Sequence, residues 1–384
     1  RLTALEQFSV LGNDFVGTLP TELGQLSLLL SLDIHGNSLT GTLPTELGKM
    51  TALTWLSVSN NSLTGTLPTE LGYLTALTYL AVDTNTLTGT LPVELAKVSR
   101  LENFFADNNN LTGTLPAQFS EWTGLLALSV FLNGLTGTLP TEFGAWTDLE
   151  SLEVNQNILT GSIPTELGLM TALGWLNVNT NTFSGMLPTE LGRLTKLTYL
   201  NLYSNYLEGT LPTELGQMSS MHELSFARNA FTGSLPTEFG KLTNLEKFIA
   251  FSNGFTGTFP AQLAEWKAIK IFSVHDNRFT GTIQAALGTW MALELFAVSD
   301  NILRGTLPSE FGQLTALKYF DVAINYLRGT LPSEFGQLAA LTFLDVGRNH
   351  FSGTFHKEWG QLTNLQDFYA YDNQLSGCLL YTSD

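Results

Sequence analysis

Apolar and polar positions alternate along this chain in a short pattern, which residues 53–76 show in full. Leu53, Leu56 and Val58 are separated by polar or variable residues. This spacing of two predicts a short β-strand with one buried face. Asn61 follows where the chain must turn, and its side-chain amide can satisfy backbone groups that the turn leaves unpaired.

The second half of the same unit predicts a helical turn. Pro68 presets φ for the first position of such a turn, Glu70 lies within it and Gly72 ends it. Leu67, Leu71 and Leu74 are its apolar positions. One unit therefore combines a strand, a turn and a helical turn, and its leucines need a partner surface.

The unit recurs every 24 residues without insertion or deletion. Its marker asparagines are Asn13, Asn37, Asn61, Asn85, Asn109, Asn133, Asn157, Asn181, Asn205, Asn229, Asn253, Asn277, Asn301, Asn325, Asn349 and Asn373. A glycine stands four residues after each asparagine, and all 13 prolines stand seven residues after one. Since no unit can bury its leucines alone, neighbouring units must stack into a solenoid.

The pattern LxxLxLxxNxLTGxLPxxLGxL resembles the plant-specific class of leucine-rich repeats, found in receptor-like kinase ectodomains and polygalacturonase-inhibitor-like proteins. Its near-constant segment GTLPTELG is most similar to repeats of diatoms and related algae. The resemblance covers the whole chain. It implies an α/β solenoid, a right-handed superhelix or horseshoe with a concave parallel sheet, a lateral second strip of strands and convex 3-10 or helical turns. It also implies an extracellular binding protein without catalysis.

The repeats define one predicted domain, residues 1–377, without caps at either end. The chain begins inside a repeat and shows no signal peptide, so we expect a fragment of a longer protein. Residues 378–384 leave the frame, reading CLLYTSD, and resemble the translation of a transposase sequencing adapter. The hypothesis is that this tail, with the single Cys378, is not native; a divergent end of the array is the alternative.

Composition removes several classes of function. The chain has 17 basic and 34 acidic residues, a formal charge of −17, which disfavours nucleic acid as a partner. It has no apolar run long enough for a membrane segment. One cysteine and five scattered histidines give no metal-ligand spacing, and no phosphate loop or nucleophile motif occurs. We therefore predict no enzyme activity, no cofactor and no metal site.

The concave face is defined here as the side chains one, two, four, six and seven positions before each marker asparagine. At minus six, aromatic residues come in adjacent pairs that can stack: Trp55 with Tyr79, Trp175 with Tyr199, and Tyr319 with Phe343. The other face of each strand is apolar. Trp122, Trp146, Trp266 and Trp290 occupy a core leucine column and need no function.

The middle pair predicts the principal ligand patch. Amide and phenol groups surround Trp175 and Tyr199, namely Asn155, Asn177, Asn179, Asn201 and Tyr203. Donors and acceptors beside an apolar platform suit a protein or peptide backbone or the hydroxyls of a glycan. The alternative is that exposed aromatic residues only stabilise the parallel sheet by cross-strand packing.

Charge divides the concave face. Its first eight repeats carry acids without lysine or arginine: Glu6, Asp33, Asp83, Glu102, Asp107, Glu150 and Glu153. Asp83 and Asp107 are column neighbours but supply too few ligands for calcium, so a basic or amine-bearing ligand is favoured. In the last eight repeats Glu246, Lys270, Glu294 and Lys318 alternate down one column, which predicts a ladder of ion pairs.

A strip of threonines after the asparagines suggests another function. Paired threonines repeat at Thr40 and Thr42, Thr64 and Thr66, Thr88 and Thr90, Thr112 and Thr114, and Thr136 and Thr138. Side chains two apart on a strand point the same way, so stacking makes a lattice of roughly 7 by 5 Å. It resembles the ice-facing arrays of antifreeze solenoids, although Met186, Glu208, Arg304 and Arg328 interrupt it. Strand propensity of threonine is the alternative, and a structural spacer is the third hypothesis.

Two glycosylation acceptors occur. Asn60 precedes Asn61-Ser62, and Asn110 precedes Leu111-Thr112. Both suit a secreted or cell-surface glycoprotein.

Overall fold

A computed structural model describes Leu2 and residues 4–377 of the chain. The hypothesis of a non-native tail concerns residues 378–384, which lie outside the described residues. The structure divides into two compact units, the first ending at Leu197 and the second beginning at Thr198.

The main sheet of each unit is parallel, with one three-residue strand per repeat. The strands of the first unit are Gln7–Ser9, Ser31–Asp33, Trp55–Ser57, Tyr79–Ala81, Asn103–Phe105, Ala127–Ser129, Ser151–Glu153 and Trp175–Asn177. Those of the second unit are Tyr199–Asn201, Glu223–Ser225, Lys247–Ile249, Ile271–Ser273, Leu295–Ala297, Tyr319–Asp321, Phe343–Asp345 and Asp367–Tyr369. Paired residues are one repeat apart, as for Trp55 and Tyr79, so side chains of one column lie side by side.

A second strip of short parallel strands follows the asparagines. In the first unit these strands are Val16–Thr18, Ser38–Thr42, Ser62–Thr64, Thr88–Thr90, Asn110–Thr114, Gly134–Thr136, Thr160–Gly161 and Thr182–Gly185. In the second unit they are Tyr206–Gly209, Ala230–Gly233, Gly254–Phe255, Arg304–Gly305, Tyr326–Gly329, His350–Gly353 and Gln374–Leu375. The predicted lateral strip is therefore confirmed.

The helical turns are 3-10 helices of five residues. Those of the first unit are Thr21–Gln25, Thr45–Lys49, Thr69–Tyr73, Val93–Lys97, Ala117–Glu121, Thr141–Ala145, Thr165–Leu169 and Thr189–Arg193. Those of the second unit are Thr213–Gln217, Thr237–Lys241, Ala261–Glu265, Ala285–Thr289, Ser309–Gln313, Ser333–Gln337 and Lys357–Gln361. Each repeat from that of Asn13 to that of Asn349 thus has the strand, turn and helical turn that the sequence predicts, and the leucine-rich solenoid fold is confirmed.

The leucine columns form the core. Leu53, Leu56, Val58 and Leu63 have no exposed surface, and each such side chain contributes about 2 kcal/mol of burial. The predicted core tryptophans are also fully buried. Each donates its indole N–H to a carbonyl oxygen of the preceding repeat, as Trp122 does to Leu95 at 3.0 Å.

The marker asparagines join neighbouring repeats, as the side chain of Asn85 shows. Its amide nitrogen donates to the carbonyl oxygens of Val82, Asp83 and Val58 at 3.2, 3.0 and 3.1 Å. Its oxygen accepts the backbone N–H of Leu63 at 3.0 Å. Since Asn85 is 8% exposed, it satisfies buried backbone groups of two repeats, which confirms the predicted role.

Two local predictions about the helical turn are wrong. Pro68 is the N-cap, with φ −64° and ψ 135°, and the 3-10 helix begins only at Thr69. Gly72 does not end the helix, which continues to Tyr73. The glycine is needed because a Cβ there would lie 2.4 Å from the carbonyl oxygen of Glu94 in the next repeat. Close stacking of the turns, rather than helix termination, explains this glycine.

The structure contains, over the residues it describes, no helix with the length and apolar character needed to cross a bilayer.

Candidate functional site

The concave face of the first unit carries a pair of stacked aromatic rings. The centroids of Trp55 and Tyr79 are 3.5 Å apart, with an interplanar angle of 1°. Phe105 lies 5.6 Å beyond Tyr79 and is tilted by 55°. Trp55 remains 38% exposed although its strand neighbour Leu56 is fully buried. The pair predicted from the sequence is confirmed and forms an apolar platform open to solvent.

Carboxylates lie beside this platform. Asp83 accepts a short hydrogen bond from the Ser59 hydroxyl, and Asp107 accepts one from the Ser129 hydroxyl at 2.8 Å. Burial, and then the charges of Asp83 and Asp33, raise the pKa of the Tyr79 hydroxyl. The serines fix the two aspartates in place but do not neutralise them.

Asp107 is the most strongly perturbed of these acids. Burial is the main cause that raises its pKa to about 6, and the charges of Asp83 and Glu153 raise it further. The hydrogen bond from Ser129 lowers the pKa but does not offset burial. A carboxyl with such a pKa is stabilised in its charged form by a cation that approaches it.

Trp175, Glu153 and Asn155 extend this face toward the end of the first unit. The Trp175 side chain is 38% exposed beside the Glu153 carboxyl. Burial raises the pKa of Glu153, and the neighbouring Trp175 side chain lowers it. Asn155 is only 6% exposed, and its Oδ1 has no hydrogen-bond partner among the described residues.

The predicted amide patch is partly self-paired. Asn179 donates from its side chain to Asn177 Oδ1 at 2.8 Å, and Asn177 is 8% exposed. In the second unit, Asn201 donates to the Tyr199 hydroxyl at 2.8 Å and accepts the backbone N–H of Tyr203 at 3.0 Å. Trp175 belongs to the first unit and Tyr199 to the second, so their stacking stays a prediction.

The concave face of the second unit has its own aromatic rows. Phe251 stacks on His275 at 4.4 Å and meets Tyr203 edge-on at 6.2 Å, and Arg228 lies 5.5 Å over the Tyr203 ring. Burial lowers the pKa of His275. Further along, the predicted pair of Tyr319 and Phe343 is stacked at 4.3 Å. The row of Tyr203, Phe251 and His275 differs from those of the first unit because a basic side chain, that of Arg228, lies against it.

Basic side chains of the second unit are paired with acids. Lys270 contacts Glu246 at 2.7 Å and Lys318 contacts Glu294 at 2.7 Å. The four residues therefore form two ion pairs, which realise the predicted ladder in part. Lys247 pairs with Glu223 at 2.8 Å, and Arg348 lies 3.5 Å from Asp372.

The threonine strip is exposed along both of its columns in the first unit. The first-column hydroxyls donate to glycine carbonyl oxygens of the preceding repeat, as Thr88 does to Gly65 at 3.2 Å. The second-column methyl groups pack on glycines of the next repeat. A Cβ at Gly89 would lie 2.7 Å from the Thr66 methyl carbon, for example. The second column thus has a packing role that sequence reasoning missed.

The remaining predicted site residues are accessible. Asn60 is exposed, and Asn110 is exposed at the start of its strand, so neither acceptor is buried. Sequence reasoning missed Phe105 as a part of the first unit's face, and it predicted Asn155 there without its unpaired Oδ1. The position of Phe105, four before Asn109, could have identified it. The orphaned oxygen has no signature in the sequence.

No group of three histidine, cysteine, aspartate or glutamate side chains placed to hold a metal ion occurs within the described part of the chain. What the concave face offers a ligand is therefore aromatic rings, carboxylates and amides.

Comparison with family models and curated proteins gives limited matches. The leucine-rich repeat model matches residues 28–50, 52–74 and 196–218. Comparison of the sequence with functionally curated proteins finds no match.

Comparison with solved structures finds similarity over nearly the whole chain. The chain is similar to the ectodomain of the membrane receptor kinase GASSHO1/SCHENGEN3 from Arabidopsis thaliana, solved in complex with CASPARIAN STRIP INTEGRITY FACTOR 2. The TM-score is 0.94 and the identity 30%, over 97% of this chain and 45% of that one. This chain thus spans less than half of that ectodomain.

Two other structures widen the comparison. A plant ice-binding protein has a TM-score of 0.53 and 28% identity, over 59% of this chain and 74% of that one. A leucine-rich repeat protein of Leptospira interrogans has a TM-score of 0.76 and 31% identity, over 97% of this chain and 92% of that one.

With its 24-residue units, buried asparagines and parallel sheets, the chain belongs to the leucine-rich repeat proteins.

Proposed function

We propose that this chain is a non-catalytic recognition module that binds a protein, peptide or glycan on its concave face. One observation carries the proposal. Trp55 is 38% exposed at the start of the strand Trp55–Ser57, whose central residue Leu56 is fully buried, and it is stacked on Tyr79. Large aromatic side chains of this kind carry much of the energy of binding interfaces.

The similarity to a plant receptor ectodomain supports an extracellular place in a receptor or cell-surface protein. That ectodomain was solved with CASPARIAN STRIP INTEGRITY FACTOR 2 bound. Exposed acceptors at Asn60 and Asn110 are compatible with glycosylation outside the cell. The concave residues proposed to contact ligand in the first unit are Trp55, Tyr79, Asp83, Asp107, Glu153, Asn155, Trp175, Asn177 and Asn179. In the second unit they are Tyr199, Asn201 and Tyr203.

An array of secreted proteins, peptides and glycans tests the proposal. We expect the protein to capture at least one class of probe. Trp55→Ala with Tyr79→Ala should abolish that capture, as should Trp175→Ala with Tyr199→Ala if the ligand extends to the predicted patch. Tyr73→Ala is the matched control, because Tyr73 is 58% exposed but lies in the 3-10 helix Thr69–Tyr73.

Folding of each variant is checked by its thermal transition. Capture that persists unchanged in both concave double variants would exclude the concave face as the binding surface. Capture that is lost equally in the Tyr73→Ala control would also exclude it.

Ice binding by the threonine strip is the second candidate, favoured by the similarity to a plant ice-binding protein. Ten exposed threonines, from Thr40 and Thr42 to Thr136 and Thr138, form two columns on the first unit. Their spacing of roughly 7 by 5 Å provides a regular array of hydroxyl and methyl groups.

Thermal hysteresis and ice-crystal shaping test this second candidate. Thr88→Tyr with Thr112→Tyr should remove both effects, whereas Thr45→Tyr with Thr69→Tyr in the 3-10 helices should not. Absence of both effects in the unsubstituted protein would exclude ice binding. A protein with neither ice activity nor array capture would instead be a structural spacer.

A further inference from the structure

The concave face of the first unit is acidic and its acids are not neutralised. Seven acids and no lysine or arginine occupy its columns. Among the described residues up to Leu197, the only contact between a carboxylate and a basic side chain is that of Asp33 with the His35 ring, at 2.7 Å. In the second unit, by contrast, the ion pairs bring each of Glu223, Glu246 and Glu294 against a lysine. The unpaired charge of the first unit is therefore available to a ligand.

The aromatic platform stands among these carboxylates. Trp55 is stacked on Tyr79, so the opposite face of its indole is turned toward Ser31, its partner residue on the preceding strand. Serine is small, and Trp55 remains 38% exposed. Asp33 and Asp83 both act on the Tyr79 hydroxyl electrostatically. A ring face next to carboxylates is an arrangement that holds a guanidinium or ammonium group.

An unsatisfied acceptor is an independent sign of a ligand. Asn155 is in the same column as Asp83 and Asp107, and its buried Oδ1 has no partner within the described residues. A buried carbonyl oxygen without a hydrogen bond is costly, by about 1 to 3 kcal/mol. Because this oxygen has less than 1 Å² of accessible surface, a donor of the ligand satisfies it only when the Asn155 side chain shifts. The carboxylates and this oxygen are all hydrogen-bond acceptors, so they favour a ligand rich in N–H donors.

The length of the acidic face matches a peptide. Asp33 and Glu153 lie on strands five repeats apart, which is about 24 Å at about 4.8 Å per strand. An extended segment of about seven residues covers that distance. The donors along it can meet carboxylates that are already fixed by Ser59 and Ser129.

We propose that the concave face of the first unit binds a basic peptide segment. An arginine or lysine of that segment lies on the Trp55 and Tyr79 rings, and its neighbours meet Asp83, Asp107 and Asn155. The inference rests on the proposed function and names the chemical class of its ligand. Arginine fits best because its planar group stacks on rings and pairs with two carboxylate oxygens at once.

Selection from a library of random heptapeptides at pH 7.5 and physiological salt tests the inference. We expect the selected peptides to be rich in arginine and lysine. Replacing a selected arginine by citrulline, which keeps the shape and removes the charge, should weaken binding about tenfold or more.

Two double variants separate a site from general charge attraction. Asp83→Asn with Asp107→Asn should weaken the selected peptides at least about tenfold. Glu46→Gln with Glu70→Gln removes the same charge from the 3-10 helices, and binding should change by less than about twofold. Both asparagine replacements keep an acceptor for Ser59 and Ser129.

Several results would overturn the inference: no excess of basic residues in the selected peptides, equal affinity of the citrulline peptide, or equal losses in both double variants. If an array probe is captured through Trp55 and Tyr79 while basic peptides do not bind, the inference fails and the proposed function stands. If neither the array nor the library yields a probe, both fail.

Discussion

At the scale of single residues, Asp107 carries a carboxyl whose burial opposes its charge. The pKa of this group is about 6 in the folded chain, against an ordinary 3.8. Between these two values the folded state binds more protons than the unfolded state. The free energy of unfolding therefore falls as the pH rises from about 4 to about 6, and the loss is complete above that range.

Asp107→Asn should remove this loss. We expect the free energy of unfolding to rise by about 1 to 2 kcal/mol at pH 7.5, after allowance for the exposed part of the group, and to change little at pH 4. Urea unfolding at the two pH values measures the difference. A gain of equal size at both would show that charge is not its cause.

Another residue-scale feature is the left-handed backbone just before each marker asparagine. Asn60 and Asn108 adopt it easily, but Ile324 has a φ of 53° and is β-branched. Ile324 is 40% exposed, so little burial offsets the unfavourable conformation.

Ile324→Asn should raise the free energy of unfolding by about 1 kcal/mol. Asn108→Ile, at the equivalent position of the first unit, should lower it by a similar amount. Urea unfolding of both variants checks the pair. A destabilised Ile324→Asn variant would mean that packing of the isoleucine outweighs its backbone conformation.

At the scale of elements, the close stacking of 3-10 helices depends on glycine. A Cβ at Gly336, in the helix Ser333–Gln337, would lie 2.3 Å from the carbonyl oxygen of Glu358 in the next helix. Among the described residues, nothing lies within 4 Å of a Cβ added at Gly360, at the same position of the helix Lys357–Gln361.

Gly336→Ala should therefore lower the free energy of unfolding by about 1 to 3 kcal/mol, because the neighbouring turn must move. Gly360→Ala should leave it unchanged or slightly raised. The thermal transition of each variant gives the comparison. Equal effects of the two substitutions would contradict the stacking role of these glycines.

The same element shows what the sequence can and cannot predict. The 24-residue period predicts the strand, the buried asparagine and the helical turn because each follows from local patterning. It does not predict why Gly72 is required, since that depends on the distance to Glu94 in the next repeat. The prediction for Pro68 is likewise one position too far into the helix, because sequence alone does not distinguish an N-cap from a first helical residue.

At the scale of the whole molecule, the two units differ in whether the acidic side chains of the concave face are paired with basic ones. The columns predict this difference, since lysine and arginine occupy concave positions only in the last eight repeats. The stacking of Trp55 on Tyr79 was also predictable from their adjacency. The pKa of Asp107 and the orphaned oxygen of Asn155 were not, because both depend on burial by neighbouring side chains.

The central claim is that ligand lies on the concave face, and tryptophan fluorescence tests it most directly. Trp55 and Trp175 are each 38% exposed, whereas Trp359 is 7% exposed and Trp122, Trp146, Trp266 and Trp290 are fully buried. Quenching by acrylamide therefore reports the concave face alone. A bound probe from the array should shield Trp55 and Trp175, so that acrylamide quenches much less of the fluorescence. In the double variant Trp55→Phe with Trp175→Phe, acrylamide should quench little fluorescence even before a probe is added. A probe that saturates the protein while quenching stays unchanged would contradict the account.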